Sequence, residues 1–249
     1  MRQDKIYNKV WEKTYEDNPR PFLEYKNELI NKYLIKKNGR NALDIGCGDG
    51  FFTSKLLELG YMVDAIDISP EAIKSTRKRV ETLGMENSVN LFNTEIEEFH
   101  PTQKYDVILC FEVLEHIKDD LNTLKKINEW IKNDGILIIS VPHRQDLWNY
   151  SDEVGGHYRR YSKDELSKKL KIANFKVKKL FDYGFPFIRS FNHAIVVPNA
   201  KKANSEIISP KNNFTNRMIS TILKKMCKLD TPFINNNKGI TIISVAKKR

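Results

Sequence analysis

"LDIGCGDGFFT" runs from Leu43 to Thr53. Leu43 to Ile45 close a short apolar run, and glycine then stands at every second position, Gly46, Gly48 and Gly50, before "FFTSKLLEL". Strand, glycine turn and helix in that order make the opening unit of a parallel sheet. Glycine there permits positive φ and a close approach of backbone to a ligand, and the helix start offers free N–H donors. The string alone also suits a plain chain reversal. Its meaning depends on what surrounds it.

Outward from it, strands and helices alternate. "NALDI" (41–45) is the first strand, and Phe51 to Leu59 a helix ended by Gly60. "YMVDAID" (61–67) is the second strand, and Ser69, Pro70 and Gly84 are the start and stop signals of the helix after it. "SVNLF" (88–92), "YDVILCF" (105–111) and "GILIISV" (135–141) read as strands, with a helix from about Asp119 to Ile131. Ser162 and Glu165 form a capping box, and "FKVKKLF" (175–181) and "GITIISVAKK" (239–248) are two further strands. Short connections imply a mostly parallel sheet with helices on both faces. The stretch from Pro186 to Lys238 interrupts the rhythm as a helical insertion before the last strand.

No apolar run reaches the roughly 18 residues of a membrane-spanning helix, and the N-terminus mixes charge throughout. Three scattered cysteines form neither a disulfide framework nor a zinc pattern, so a cytoplasmic location is expected. The net charge of +10 is spread along the chain, which favours a lysine-rich surface over a nucleic-acid footprint.

Asp67 gives the glycines their weight. It ends the second strand, 21 residues after Gly46, where a carboxylate faces the turn and can accept from a ribose diol. The competing reading has Asp67 help Ser69 cap the next helix. If its role is the ribose, Asp67→Ala should weaken the ligand and leave the melting temperature of the free protein nearly unchanged.

"LDIGCGDGFFT", "VDAIDIS", "YDVILCFEVLEHI" and "KNDGILIISVP" together resemble the successive motifs of class I S-adenosylmethionine-dependent methyltransferases over residues 40–182, with 239–248 fitting as the closing strand. The resemblance implies a Rossmann-like α/β fold: a seven-stranded sheet, mostly parallel, with the last strand antiparallel. It implies one domain over 1–249, with an N-terminal helical lid (1–38), a cofactor-binding core (40–182), a helical cap (186–238) and the final strand (239–248). It assigns Asp44, Gly46, Gly48 and Gly50 to the methionine end of S-adenosyl-L-methionine, Asp67 to the ribose and Ile68 to the adenine face. Thr94, Glu95 or Ile96 would stand beside the adenine amino group, the acid there being Glu95 or Glu97, and Phe111 would line the sulfonium. Cys47 reads as a small buried filler. Tyr7, Trp11 and Tyr15 share a helical stripe, either core or lid, and Arg20 is a loose match for a ligand of the methionine carboxylate.

Glu112, Glu115 and His116 follow the fourth strand as "EVLEH". Three readings stay open. The cluster is a capped turn of the fold, or His116 or Glu115 is a general base, or Glu112, Glu115, His116 and a later histidine, His157, hold a divalent metal. The string is similar to that of ubiquinone-biosynthesis O-methyltransferases and small-RNA ribose methyltransferases, where such a cluster binds magnesium; a metal is possible here but not expected. "VPHRQDLWNYSDEVGGHYRRYS" (141–162) is a polar loop expected over the acceptor pocket, with His143 and His157 as pocket candidates and Arg159 and Arg160 as a clamp for an anion or as a solvated pair.

The reading is methyl transfer to a small-molecule acceptor, at oxygen rather than nitrogen, the acceptor being anionic, glycan-linked or lipid-linked. A nucleic-acid methyltransferase and a nicotinamide oxidoreductase are the alternatives. Oligomeric state is not readable. In the insertion, Met218, Ile219, Ile222, Leu223, Met226 and Leu229 form an apolar stripe, with Arg217, Lys224, Lys225 and Lys228 elsewhere on the helix. The stripe is expected to pack on the sheet as a pocket roof, with contact to an anionic membrane as the alternative.

Overall fold

The computed structural model describes residues 20–34, 41–198 and 214–249. Tyr7, Trp11 and Tyr15 lie outside the described residues, as do the side chains of Arg217, Met218 and Ile219. Seven strands are formed by Asn41–Ile45 (β1), Met62–Asp67 (β2), Val89–Asn93 (β3), Tyr105–Phe111 (β4), Ile131–Pro142 (β5), Phe175–Tyr183 (β6) and Thr241–Lys248 (β7). They make one sheet in the order β3-β2-β1-β4-β5-β7-β6. β1 to β5 pair in parallel, and β7 runs antiparallel between β5 and β6. Strand order reverses between β1 and β4, and their carboxyl ends open there, where sheets of this type bind ligands.

The helices are Pro21–Leu34 (α1), Phe51–Glu58 (α2), Pro70–Leu83 (α3), Asp120–Trp130 (α4), Tyr150–Gly155 (α5), Lys163–Ile172 (α6), Phe187–Phe191 (α7) and Phe214–Asp230 (α8). The side-chain period of two in a strand divides the core. Val107, Leu109 and Phe111 of β4 enter one layer with Ile30 and Leu34 of α1, Leu56 of α2 and Cys227 of α8. Ile108 and Cys110 enter the other with Leu124 and Ile127 of α4 and Leu166 and Leu170 of α6. A central strand apolar on both faces therefore demands helices on both.

The local signals act as expected. The Ser69 hydroxyl accepts from the Ala72 N–H, Pro70 opens α3 and Gly84 ends it at φ 64°. Asp119 caps α4, and the Ser162 hydroxyl takes the Glu165 N–H, which is one half of the expected capping box. The loop after β5 differs from expectation, since it contains α5. Asn149 and Asp152 close a reciprocal capping box there, an N-x-x-D version of the usual S/T-x-x-E.

The glycine turn has φ of 70°, 58° and 77° at Gly46, Gly48 and Gly50. The space beside two of them is filled by the protein itself. A β-carbon on Gly46 would collide with the Val113 side chain, and one on Gly50 would come within 2.8–3.0 Å of Thr76. Gly46→Ala should cost about 2–4 kcal/mol, from positive φ plus the clash. In urea denaturation the Gly46→Ala/Val113→Ala pair should show less than the sum of the two single losses. Strict additivity would mean that the clash does not decide the residue.

Candidate active site

The carboxyl ends of β1, β2 and β4 open onto a cavity of about 550 Å³. Asp44, Gly46, Cys47 and Gly48 line it, with Asp67, Ile68 and the Thr94–Glu97 turn, then Phe111, Glu112 and His116. α1 contributes Leu23 and Lys26, and Arg20 just before it also lines the cavity. Gly50 is turned against Thr76 instead, and serves the turn's shape.

Asp67 is buried and holds the turn together. One carboxylate oxygen accepts the Gly48 N–H at 2.9 Å and the other the Ser69 N–H at 2.9 Å. The reading that Asp67 supports the start of the next helix is seen directly in the Ser69 bond, and each oxygen keeps a lone pair after serving the backbone. Burial raises its pKa against those two bonds. Asp44 accepts the Thr53 hydroxyl at 2.7 Å, yet burial pushes its pKa up to about 7. Asp49 takes Arg20 at 2.6 Å and Arg79 at 2.8 Å, tying α1 and α3 to the turn. The Cys47 thiol is buried and pushed well above its ordinary pKa, as suits a filler.

The Phe111 ring stands 4.5 Å from that of Phe52, with the Lys26 ammonium 5.3 Å from its centre. Glu112 has φ 53°, an uncommon conformation outside glycine. Its Oε1 accepts Lys26 Nζ at 2.7 Å and Ser140 Oγ at 2.7 Å. Burial works against both charges, but each partner's charge outweighs it: Lys26 is raised and Glu112 lowered. Glu112 is thereby occupied by an ammonium, which removes it from the candidate metal set. Sequence reading missed Lys26. The signal was available, since Lys26, Ile30 and Leu34 share one helical stripe and a lysine in an apolar stripe needs a partner.

Glu115 is fully buried behind the cavity, and neither carboxylate oxygen has a hydrogen-bond partner. Burial and then Glu112 raise its pKa well above the ordinary carboxyl range. His116 is held neutral, pushed down to about 4 by burial and by His157. The His116 and His157 rings meet edge-on at 4.5 Å, and ligand atoms of Glu115, His116 and His157 lie within 4.8 Å of one another. His157 is fixed by Asp152, 2.8 Å from its Nδ1, so its Nε2 is the nitrogen left to bind. Asp152, another residue sequence reading missed, is held by Arg160 through Nε and Nη2 and lies below its ordinary pKa because His157 and Arg160 outweigh burial.

Other expectations are corrected. Arg160 is spent on Asp152 and Arg159 on Asp120, so the pair clamps no anion. His143 is buried beside the carbonyl of Tyr161 and does not line the cavity.

The comparisons agree with this geometry. A family model described as a methyltransferase domain matches residues 16–180. The chain belongs to that family, the class I methyltransferases whose cofactor is S-adenosylmethionine. It is similar to a ubiquinone biosynthesis O-methyltransferase of Actinobacillus pleuropneumoniae serotype 5b, 35% identical over 112 residues, 43% of this chain and 47% of the relative. One from Rickettsia typhi is 31% identical over 151 residues, 57% and 58% of the two chains. The chain thus spans about half the length of the curated relatives it matches. Its fold is like that of the N-methyltransferase NodS from Bradyrhizobium japonicum in complex with S-adenosyl-L-homocysteine, with a TM-score of 0.57, 20% identity and coverage of 71% of this chain and 89% of that one. It is also like coclaurine N-methyltransferase bound to N-methylheliamine and S-adenosylhomocysteine, at 0.62, 19%, 98% and 80%.

The two backbone bonds of Asp67 change what its removal does. Asp67→Ala leaves two buried N–H donors without their acceptor, a cost of about 2–4 kcal/mol at about 1–2 kcal/mol each. The melting temperature of the free protein should fall by roughly 5–10 °C, as well as S-adenosylhomocysteine affinity. An unchanged melting temperature would restore the simpler sequence expectation.

Proposed function

We propose that the protein transfers a methyl group from S-adenosylmethionine to a hydroxyl oxygen of a small-molecule acceptor, with a divalent cation held by Glu115, His116 and His157. The observation that carries the reading is the orphaned Glu115 carboxyl, fully buried and within ligand reach of two imidazoles, His116 and His157. A buried carboxyl without a donor is costly, and a cation is the group that would satisfy it. One carboxylate and two imidazoles suit a first-row divalent ion such as manganese as well as magnesium.

The cofactor supplies a methyl group on a sulfonium, which leaves as a neutral thioether. The cation, when bound, lowers the pKa of a hydroxyl it touches. The protein's own part is to position and to exclude water. Asp67 would accept from the ribose diol with its free lone pairs, Ile68 would pack on the adenine, and Thr94, Glu95 or Ile96 would stand beside its amino group, the acid there being Glu95 or Glu97. Asp44 and the N–H groups of the glycine turn hold the amino-acid end, and Phe111 faces the sulfonium. His116 and Glu115 would hold the cation rather than serve as a free base, since Glu115 does not reach the cavity and His116 is too weak a base at a pKa of about 4.

This reading takes 1–249 as one domain in a cytoplasmic protein, with α1 as the described part of the N-terminal lid. All three cysteines are buried and unpaired, and no described helix is long and apolar enough to cross a membrane. A lipid-linked or anionic acceptor fits the basic charge of +10 better than a cationic one.

Two measurements test it. With Asp44 near pKa 7 in the free protein and lower beside the cofactor's ammonium, binding releases a proton below pH 7. S-adenosylhomocysteine affinity should therefore rise with pH up to about 7 and then level off, by at most about tenfold per unit. Calorimetry that finds equal affinity at pH 6 and pH 8 would remove Asp44 from that role. In the second, EDTA should abolish transfer to a catechol acceptor and manganese or magnesium restore it. Glu115→Gln should lose manganese binding by calorimetry while keeping S-adenosylhomocysteine affinity. Full turnover in EDTA with no manganese binding leaves the cluster as scaffold, and methylation of amines alone moves the reaction to nitrogen.

A further inference from the structure

The helical insertion carries more apolar surface than the fold buries. At about 100° per residue, the side chains described on α8 fall into three arcs. Ser220, Leu223, Cys227 and Asp230 point inward and are buried. This arc rests on α1, where Cys227 lies against the Pro21 carbonyl and Lys224 pairs with Glu24 at 2.6 Å. Next round the helix come Met226, half-buried, then Ile222 and Leu229, which are 50% and 54% exposed. Exposed Lys225, Lys228 and Lys224 complete the circle. The stripe expected to pack as one pocket roof is thus split, with Leu223 inside and Ile222 and Leu229 in water.

Further apolar side chains are exposed near the end of the helix. The buried carboxylate of Asp230 accepts the N–H groups of Phe187 and Ile188 at 2.8 and 3.0 Å, locking α7 to the end of α8. Phe187 and Phe233 are 40% and 42% exposed there. The Phe233 ring is 6.3 Å from that of Phe185, and Arg189 and Lys238 stand 5.9 and 5.5 Å over the latter. Among the described residues, no carboxylate pairs with Lys225, Lys228 or Lys238.

We propose that this face, formed by α7, α8 and the turn after it, docks on an anionic lipid bilayer. The charges select the partner. A second copy packed face to face would cover Ile222, Leu229 and Phe233 but set like charges against each other. A nucleic acid would take the lysines and leave the apolar side chains in water. An anionic bilayer takes both at once, with apolar side chains at the level of the acyl chains and cations among the headgroups. α1, on which α8 rests, also lines the cavity through Leu23 and Lys26, so the docked surface lies one helix layer from the site. The inference goes beyond the proposed reaction and holds for whichever acceptor is methylated.

Co-sedimentation of the full chain tests it, with vesicles of phosphatidylcholine alone and of phosphatidylcholine with about a third phosphatidylglycerol. The protein should pellet with the anionic vesicles at low salt and stay in the supernatant with the neutral ones or at high salt. Ile222→Asp/Leu229→Asp should lower the bound fraction by about tenfold or more, and Lys225→Glu/Lys228→Glu should lower it as well. Both variants should keep the wild-type melting temperature and S-adenosylhomocysteine affinity, since none of these residues lines the cavity. Wild-type protein that stays in the supernatant with anionic vesicles at low salt overturns the proposal, as does equal pelleting of the Asp double variant. A dimer by light scattering that the Asp double variant converts to monomer, without vesicle binding, assigns the face to a second copy. Vesicle binding is read without cofactor or acceptor, so its failure and a failure of methyl transfer are seen separately.

Discussion

The two hydrogen bonds that the Asp67 carboxylate accepts from Gly48 and Ser69 connect everything at the ligand end of this sheet. They fix the turn after β1 and the start of α3 to the tip of β2, so three elements meet at one side chain. That carboxylate is buried, and its charge is held by backbone donors rather than by a cation. It is therefore available to a neutral diol, whose hydroxyls donate without displacing a salt bridge. A lysine partner would have stabilised the charge and blocked the ligand.

At the other end of the cavity the logic is reversed. Lys26 neutralises Glu112 and joins α1 to the ends of β4 and β5 through Ser140. That pair leaves Glu115 as the only carboxyl of the "EVLEH" string without a donor. Arg160, Asp152 and His157 form a chain that fixes one imidazole from behind, as orienting groups do around a ligating histidine. The cavity thus joins an end where a buried carboxylate is held by backbone donors to an end where a buried carboxyl has no donor.

Much of this was legible in the sequence, because the signals were local. The turn residues, the caps at Ser69 and Asp119 and the run "YDVILCF" each act within a few residues, and each element formed where its signal stood. The residues at the carboxyl ends of β1, β2 and β4 follow from topology, so Asp44, Asp67 and Phe111 were legible too. Pairings across the chain were not. Arg159 and Arg160 look like a free cationic pair until Asp120 and Asp152 are placed beside them, and Glu112 looks like a ligand until α1 brings Lys26, 86 residues away. In α8 the apolar period was correct, but which part of the arc is covered depends on the tilt of a helix packed on another helix, and a periodicity does not contain that.

The position of β7 bears on how the molecule is made. It comes last among the strands in the chain yet lies between β5 and β6, bonded to both, with Ile242, Ile243 and Val245 buried. During synthesis β6 emerges with no neighbour to pair with, and its inner edge waits for residues 241–248. The half of the sheet that holds β1 to β4 can form while the chain is still on the ribosome, whereas the other half closes only after β7 has left the exit tunnel. Until then two strand edges are open to the wrong partners.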